Sequence, residues 1–411
     1  MRLIVPVSLA ALVATASLSA QGWPQWRGPA RDATVAASDA PSAWPAAFAR
    51  AWRVDVGEGY ASPVVGAGVV FVHTRKDPQE VVTAVDARTG AVKWQQSYSA
   101  NFTKNQYASK MAKGPNATPL LAGSRLYTLG ASGHLIAWDA ASGKQLWMQD
   151  YSPRVDTSKL FCGTAASPII VDGRLIVQVG SDVRSGSVLA LDPASGKTMW
   201  EWKGPGPGYA TPVPITAGKT SMLVVLTNSS IVGINSATGA QLWVVPFPDE
   251  WHENIVTPIW TGSELIVSGI RQGTHAYRLN EKGGTWSATQ AWKNADVAMY
   301  MSTPVVADGL LYGLSSKRKG QFVAVDVKTG VTKWATDGRE AEHASALLLP
   351  KHVVFLTNAG ALVVAKRSAT GFEAEKKYEL AGSSETWALP VFVGGDLIVK
   401  DATGLARLAA K

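Results

Sequence analysis

Short apolar segments alternate along the 411-residue chain with turns rich in Gly, Asp and Pro. No segment of useful length places its apolar residues at the 3.6-residue period of a helix. The recurring unit is an apolar strand, a tight turn that contains Gly, and a second strand with a Trp four residues after that Gly. Asp or Asn accepts backbone N–H groups at the start of such a turn, and Gly supplies its positive φ. The pattern therefore predicts β-hairpins throughout the chain and only minor helix.

Five of these hairpins share the form small-x-Asp/Asn-x-x-Thr/Ser-Gly-x-x-x-Trp. They lie at Ala84–Trp94, Ala137–Trp147, Ala190–Trp200, Gly233–Trp243 and Ala324–Trp334. Two weaker copies end at Trp292 and Tyr378. A large flat side chain that recurs at one position of a repeat is buried against the neighbouring unit. We therefore assign the recurring Trp residues to the core, and the recurring Asp residues to turns rather than to catalysis.

A second marker, Ser or Thr followed by Pro, opens an apolar strand upstream of each hairpin. Clear copies start at Ser62, Thr118, Ser167, Thr211, Thr257 and Thr303, and degenerate copies at Ser345 and Leu389. Successive markers are 56, 49, 44, 46, 46, 42 and 44 residues apart. Four short strands in about 45 residues are typical of a propeller blade. Eight markers therefore predict an all-β, eight-bladed β-propeller.

The last unit ends at Lys411 after only three strands, while Trp52 occupies a fourth-strand position with no blade before it. The simplest closure pairs residues 50–56 with the last blade, which leaves no open sheet edge between the two ends of the ring. The predicted organisation is a propeller over residues 50–411, preceded at 21–49 by a lead-in segment that lies across the disc.

Residues 1–20 have the pattern of a secretory signal peptide. Arg2 precedes an apolar run from Leu3 to Leu18, and small residues continue to Ala20. A membrane anchor is the alternative, but the run is shorter than the roughly 20 residues that span a bilayer. No cysteine lies nearby for lipidation, and the single cysteine of the chain, Cys162, cannot form an intrachain disulfide. We expect a periplasmic or secreted protein that does not span the membrane.

Composition narrows the function classes. Apolar residues make up 46% and charged residues 17%, which excludes a disordered chain. The net charge of +8 is spread along the chain, and no basic block is longer than three residues. Nucleic acid is therefore not an expected partner.

At these motifs the sequence resembles the PQQ-like (quinoprotein-type) β-propeller repeat family, over roughly residues 23–411. The five hairpins match the tryptophan-docking motif of that family, and Trp23–Asp32 is similar to the opening of its exported bacterial members. The resemblance implies a propeller fold. It also implies one of two functions, because the family includes quinoprotein dehydrogenases that bind pyrroloquinoline quinone and non-catalytic BamB-like propellers that act as outer-membrane assembly scaffolds.

This sequence lacks residues that the quinoprotein dehydrogenases of the family use. The quinoprotein alcohol dehydrogenases hold the quinone between a tryptophan and a disulfide of adjacent cysteines, which the lone Cys162 cannot supply. No stretch aligns with their Glu/Asn/Asp calcium group. We therefore expect a non-catalytic, monomeric binding or scaffold protein of the cell envelope with no cofactor. A quinone-binding oxidoreductase with pyrroloquinoline quinone and calcium is the alternative.

A candidate site lies just before the Ser/Thr-Pro markers. The first strand of each blade lines the central channel, so the residues before it ring one mouth of that channel. Convergent aromatic, carboxylate and imidazole groups predict a pocket for a small ligand or an envelope protein, although they also suit a wet channel mouth. The candidates are Tyr60, Tyr209, His252, Glu253, Tyr300, His343 and Trp387, with Lys113, Asn116, Cys162 and Asn254 nearby. We assign no catalytic residue and no metal ligand.

Overall fold

The computed structural model describes residues 22–108, 111–181, 185–380 and 385–410. Regular structure in these ranges consists of β-strands and three short 3₁₀ segments, at Gln106–Ala108, Ser152–Arg154 and Lys317–Lys319. No helix within the described ranges combines the length and the apolar character that crossing a membrane requires. The predicted signal peptide lies outside the described residues.

Eight four-stranded antiparallel sheets form the blades. Seven contain four consecutive strands, ordered from the channel outwards, and the eighth combines the last three strands with the first. Blade 1 contains β2 (Val64–Gly66), β3 (Val69–Lys76), β4 (Gln79–Asp86) and β5 (Val92–Ser99). Blade 2 contains β6 (Leu120–Ala122), β7 (Arg125–Leu129), β8 (His134–Asp139) and β9 (Gln145–Asp150). Blade 3 contains β10 (Ile169–Val171), β11 (Arg174–Gly180), β12 (Gly186–Leu191) and β13 (Thr198–Gly204). Blade 4 contains β14 (Val213–Ala217), β15 (Thr220–Leu226), β16 (Ser230–Asn235) and β17 (Gln241–Pro246).

The second half of the ring repeats this arrangement. Blade 5 contains β18 (Ile259–Trp260), β19 (Glu264–Gly269), β20 (Gly273–Lys282) and β21 (Thr285–Asn294). Blade 6 contains β22 (Val305–Ala307), β23 (Leu310–Ser315), β24 (Gln321–Asp326) and β25 (Thr332–Ala335). Blade 7 contains β26 (Ala344–Leu348), β27 (His352–Thr357), β28 (Ala361–Lys366) and β29 (Ala374–Glu379). Blade 8 contains β30 (Val391–Val393), β31 (Asp396–Lys400), β32 (Gly404–Ala410) and the N-terminal β1 (Phe48–Asp55). The predicted eight-bladed fold is confirmed.

Closure of the ring also follows the prediction. Strand β1 pairs antiparallel with β32, from Phe48 opposite Ala410 to Asp55 opposite Gly404. A bidentate ion pair joins Arg53 of β1 to Asp401 in the turn before β32, with Arg53 Nη2 at 3.0 Å from Asp401 Oδ1. The first and last parts of the chain are thus fixed to each other by one sheet.

The recurring Trp residues lock one blade to the next. The indole N–H of Trp94 donates to the carbonyl oxygen of Ala140 in the following blade, at 3.0 Å. Its ring lies over Gly143 (φ +73°), where an added Cβ would be 2.6 Å from Trp94 Cδ2. The turn therefore needs Gly both for its backbone angle and for the approaching ring. Corresponding indole bonds run from Trp52 to Ala87, Trp147 to Pro193, Trp200 to Ser236, Trp292 to Val327 and Trp334 to Ser368.

Trp243 belongs to the core as predicted, but it contacts a different partner. It is 5% exposed, and its indole nitrogen lies 3.4 Å from the sulfur of Met222 in its own blade. The reason lies in blade 5, where the ten-residue strands β20 and β21 are joined through Gly283 and Gly284 without the Asp…Gly turn that receives a Trp elsewhere.

The N-terminal segment (residues 22–47) lies against the inner part of the propeller. Its residues bond to residues in or beside the inner strands of blades 1, 2, 3, 6 and 7. Backbone or side-chain hydrogen bonds join Trp23 to Val65, Pro24 to Leu121, Arg31 to Ile170, Arg27 to Pro304 and Ala33 to Leu348.

Candidate functional site

A ring of hydrogen bonds connects the Ser/Thr-Pro markers around the channel. The backbone N–H of five of the eight marker residues donates to the marker hydroxyl of the next blade. These bonds run from Ser62 to Thr118 (3.2 Å), Thr118 to Ser167 (2.9 Å), Ser167 to Thr211 (3.0 Å) and Thr257 to Thr303 (3.2 Å). A bond from Leu389 to Ser62 (2.8 Å) joins the last blade to the first. The hydroxyls of the markers thus have a structural role that their position as strand starts did not reveal.

Above this ring lies a small cavity of about 120 Å³ on the propeller axis, here called the axial cavity. Trp26 of the N-terminal segment forms part of its lining and donates its indole N–H to Thr257 at 3.1 Å. Four of the predicted site residues line it, namely Tyr60, Tyr209, His343 and Trp387, together with Asn116 and Cys162. The structure therefore brings these six side chains together on the axis.

Aromatic stacking fills one side of the axial cavity. The rings of His343 and Trp387 are parallel within 16°, with centroids 4.7 Å apart, and Tyr60 packs against Trp387 at 5.8 Å. Nδ1 of His343 lies 3.1 Å from the hydroxyl of Ser302. Burial lowers the pKa of His343 to about 4, against a weaker opposing effect of a backbone hydrogen bond at Trp387. The imidazole is therefore neutral at pH 7.

Two tyrosines of the axial cavity fix the loops above it. The Tyr60 hydroxyl accepts a hydrogen bond from the backbone N–H of Ala112 (3.2 Å), and the Tyr209 hydroxyl accepts one from Phe161 (2.7 Å). Burial raises the pKa of both tyrosines and raises the pKa of Cys162 to about 12. These groups are therefore neutral at pH 7, and the described lining of the axial cavity includes no Lys, Arg, Asp or Glu.

A second, larger cavity lies beside the axial cavity among the loops that connect the blades. This loop pocket has a volume of about 670 Å³. Glu253 and Tyr300 of the predicted set line it, with Asn105, Tyr107, Lys159, Phe161, Glu250 and Trp251. Tyr107 is 80% exposed and Trp251 54%, so two large aromatic side chains face solvent at its edge.

Glu253 is a buried carboxylate in the lining of the loop pocket. It is 7% exposed, and the Tyr300 hydroxyl donates a hydrogen bond to its Oε2. Its backbone N–H donates to Asp249 Oδ1 at 3.1 Å. Burial raises the pKa of Glu253, the Tyr300 hydrogen bond lowers it, and the nearby Asp249 carboxylate raises it further. Arg271 lies over the Trp251 ring at 3.8 Å and forms an ion pair with Glu250.

The remaining candidates occupy other positions. His252 is exposed, has a positive φ of 61°, and lines neither cavity. Asn254 is buried and donates to the carbonyl oxygens of Thr227 (2.8 Å) and Phe247 (2.9 Å), so it holds its own loop in place. Lys113 forms an exposed ion pair with Asp77 at 2.6 Å.

Sequence reasoning missed Tyr107, Phe161 and Trp251 because it considered only the residues directly before each marker. A signal was present in the spacing, since the first two marker intervals, 56 and 49 residues, exceed the others. The extra residues fall in the connections before blades 2 and 3, which carry Tyr107 and Phe161.

Comparison with known proteins identifies the family. A family model described as "Outer membrane protein assembly factor BamB" matches residues 49–111, 78–336 and 227–399. These matches cover most of the chain, and the chain belongs to this family.

Individual relatives include both classes that the sequence resembles. BamB of Yersinia pestis is 27% identical over 67% of this chain, and the match covers 63% of that relative's own length. BamB of Burkholderia pseudomallei is 23% identical, with 84% of this chain and 96% of the relative covered. The quinohemoprotein alcohol dehydrogenase ADH IIB of Pseudomonas putida is 31% identical, but over only 37% of this chain and 21% of the enzyme.

Solved structures share the fold at low identity. BamB from Moraxella catarrhalis superposes with a TM-score of 0.62 at 14% identity, covering 89% of this chain and 98% of that one. A europium-containing methanol dehydrogenase superposes with a TM-score of 0.66 at 14% identity, covering 94% and 91%. At this identity the two likenesses establish the propeller architecture alone.

The axial cavity does not fit pyrroloquinoline quinone. This cofactor is a fused three-ring quinone with three carboxylates, so it needs cationic partners and a flat slot. The cavity of about 120 Å³ lies below the usual range of roughly 300–1,000 Å³ for ligand pockets. Its described lining offers no cation, and His343 already stacks on Trp387. In the described ranges no three His, Cys, Asp or Glu residues are grouped to hold a metal ion.

Proposed function

We propose that this chain is a non-catalytic binding propeller of the cell envelope that acts in the assembly of outer membrane proteins. The observation that carries the proposal is the loop pocket, which exposes Tyr107 and Trp251. It opens on the face of the propeller that carries the predicted channel mouth, here called the mouth face. Large aromatic side chains exposed together are typical of protein interaction sites. The BamB relatives favour the same kind of role, since their name describes outer membrane protein assembly factors.

The proposed location follows from the N-terminal sequence. Residues 1–20 are expected to direct export, and the absence of a cysteine near Ala20 favours a protein that is released into the periplasm rather than lipidated. The mature protein would then reach its partner by diffusion, which suits an open binding face. An oxidoreductase that uses the quinone is not favoured, because the described lining of the axial cavity supplies its carboxylates with no cationic partner.

The test is deletion of the gene in the source bacterium followed by complementation. We expect deletion to lower the amounts of several outer membrane β-barrel proteins at least twofold, measured by quantitative mass spectrometry of the outer membrane fraction. Wild-type protein restores them, and so does Met199→Ala, whose 54%-exposed side chain lies on the outer strand of blade 3. The double variant Tyr107→Ala, Trp251→Ala is expected to accumulate normally in the periplasm without restoring them.

Two outcomes contradict the proposal. Unchanged outer membrane proteins after deletion would exclude the assembly role. Full restoration by the double variant would show that the loop pocket is not the binding face.

A further inference from the structure

The loop pocket combines aromatic walls with a buried carboxylate. Tyr107, Phe161, Trp251 and Tyr300 provide the rings, and Glu253 provides the carboxylate. The acidic and basic side chains in and beside the loop pocket differ in how deeply they are buried. Glu253 and the adjacent Asp249 are 7% and 4% exposed, whereas Lys159 is exposed. Because a buried charge interacts through a lower dielectric than an exposed one, the acids dominate the field inside the pocket.

Among the described residues, neither of these acids forms a salt bridge. The hydrogen bonds to Glu253 come from the neutral Tyr300 hydroxyl, and Asp249 Oδ2 is buried with no hydrogen-bond partner among the described residues. Arg271 lowers the pKa of Glu253 only as the last of four effects, since it pairs with Glu250 and lies over the ring of Trp251. Burial disfavours the ionised form of Glu253 and raises its pKa, and a cation beside the carboxylate would lower that pKa again.

The chain itself shows which cation suits these walls. Arg271 lies 3.8 Å from the centroid of the Trp251 ring while pairing with a carboxylate, which is the geometry that a planar guanidinium favours. Arg271 does not line the loop pocket, whereas Trp251 does, so the ring presents another surface to the pocket.

We propose that the loop pocket binds an arginine side chain of the protein partner, with the guanidinium paired to Glu253 and its flat faces against the aromatic walls. This inference rests on the proposed function, because it names the chemistry of the segment that the mouth face would bind. The volume of about 670 Å³ accommodates the side chain together with its neighbouring peptide backbone. Arginine is favoured over lysine, because its planar group can stack on a ring and donate two hydrogen bonds to one carboxylate.

The test compares two capped pentapeptides, Gly-Ser-Arg-Ser-Gly and the same sequence with citrulline, which has nearly the same shape but no charge. Binding to the mature wild-type protein is measured by isothermal titration calorimetry at low salt. We expect the arginine peptide to bind saturably and the citrulline peptide at least tenfold more weakly. Free arginine should also bind more weakly than the peptide, since the site is proposed for a protein segment.

Variants separate the pocket from the rest of the surface. Glu253→Gln retains an acceptor for Tyr300 but removes the charge, and should weaken the arginine peptide at least tenfold. Trp251→Ala should also weaken it, and its exposed position keeps the fold intact if Glu253→Gln fails to fold. Met199→Ala, with the same 54% exposure, should bind as the wild type does.

Several results would overturn the inference: no saturable binding of the arginine peptide, equal binding of the citrulline peptide, or unchanged binding by Glu253→Gln. Free arginine that binds as tightly as the peptide would assign the pocket to a small solute instead. These failures are distinct from failure of the proposed function. If the arginine peptide does not bind but the Tyr107→Ala, Trp251→Ala variant still fails to restore outer membrane proteins, the mouth face binds a partner of other chemistry.

Discussion

The two cavities on the mouth side of the propeller are built from different parts of the repeat. The axial cavity is lined mainly by residues at or next to the Ser/Thr-Pro markers, where hydrogen bonds join neighbouring blades, and by Trp26. The loop pocket is lined by the connections between blades, which differ in length from one blade to the next. The first cavity is small and neutral, and the second is more than five times larger and contains charged groups.

The difference shows where this fold can acquire a new function. A residue beside the hydrogen bonds between the Ser/Thr-Pro markers holds neighbouring blades in position, so a substitution there weakens the contact between those blades. A residue in a connecting loop can change at little cost to the blades, because loops tolerate substitution and insertion. Trp26 and Trp251 illustrate the two cases, since one indole bonds to Thr257 inside the ring and the other is more than half exposed.

The largest expected effect separates two tryptophans by the part of the repeat that holds them. Trp94→Ala removes a ring that is 9% exposed and leaves a cavity over Gly143, so it should destabilise the protein by about 3–5 kcal/mol. Trp251→Ala removes a ring that is 54% exposed, together with an exposed cation–π contact, and should cost less than about 1 kcal/mol. Urea unfolding followed by circular dichroism measures both. Similar losses of unfolding free energy in the two variants would contradict the distinction between tryptophans that hold the blades together and tryptophans that are available for binding.

A smaller effect concerns pH and the axial cavity. The pKa of His343 is about 4 in the folded protein, below its ordinary value of 6.5, because the ring is buried. Between these values the unfolded chain binds a proton that the folded protein does not, so stability falls as the pH drops from 6.5 towards 4. The expected loss is about 2–3 kcal/mol by pH 4.5.

His343→Gln removes this titration and leaves the other acid-sensitive groups in place. Unfolding midpoints of the variant and the wild type are compared from pH 7.5 to 4.5. The gap between them should narrow as the pH falls, because only the wild type loses the stability linked to a neutral His343. Parallel curves would show that burial of this imidazole has no cost, and that the axial cavity is open to water.

The blades could be predicted from the sequence because each rests on local rules that repeat. The Asp…Gly turn and the Trp four residues later fix a hairpin, and the three strands of the last unit before Lys411 predicted closure by the strand that carries Trp52. The site could be predicted only in part. A position before a marker determines the blade and the face, but the depth of a side chain depends on the loops around it. His252 is therefore exposed beside a buried Glu253.

The behaviour of Trp243 shows a second limit. Its own motif is intact, yet its partner depends on the next blade, whose outer hairpin lacks the receiving turn. The long range of such contacts also explains why Arg27, which is 2% exposed and donates to Pro304 at 2.8 Å, could not be assigned from sequence. Its partner is 277 residues away in the chain.

The smallest expected effect is the absence of a response to pyrroloquinoline quinone. Trp26 and Trp387 line the axial cavity, so a quinone on the propeller axis would quench their fluorescence. We expect no saturable change when the mature protein is titrated with the quinone up to about 100 μM, with or without calcium. A dissociation constant of about 100 μM corresponds to a binding free energy of about 5.5 kcal/mol, so the titration would detect any binding stronger than this. Saturable quenching that Trp387→Ala weakens would require the stacked pair of His343 and Trp387 to open. The axial cavity would then be a cofactor site, and the distinction between a structural axial cavity and a ligand-binding loop pocket would fail.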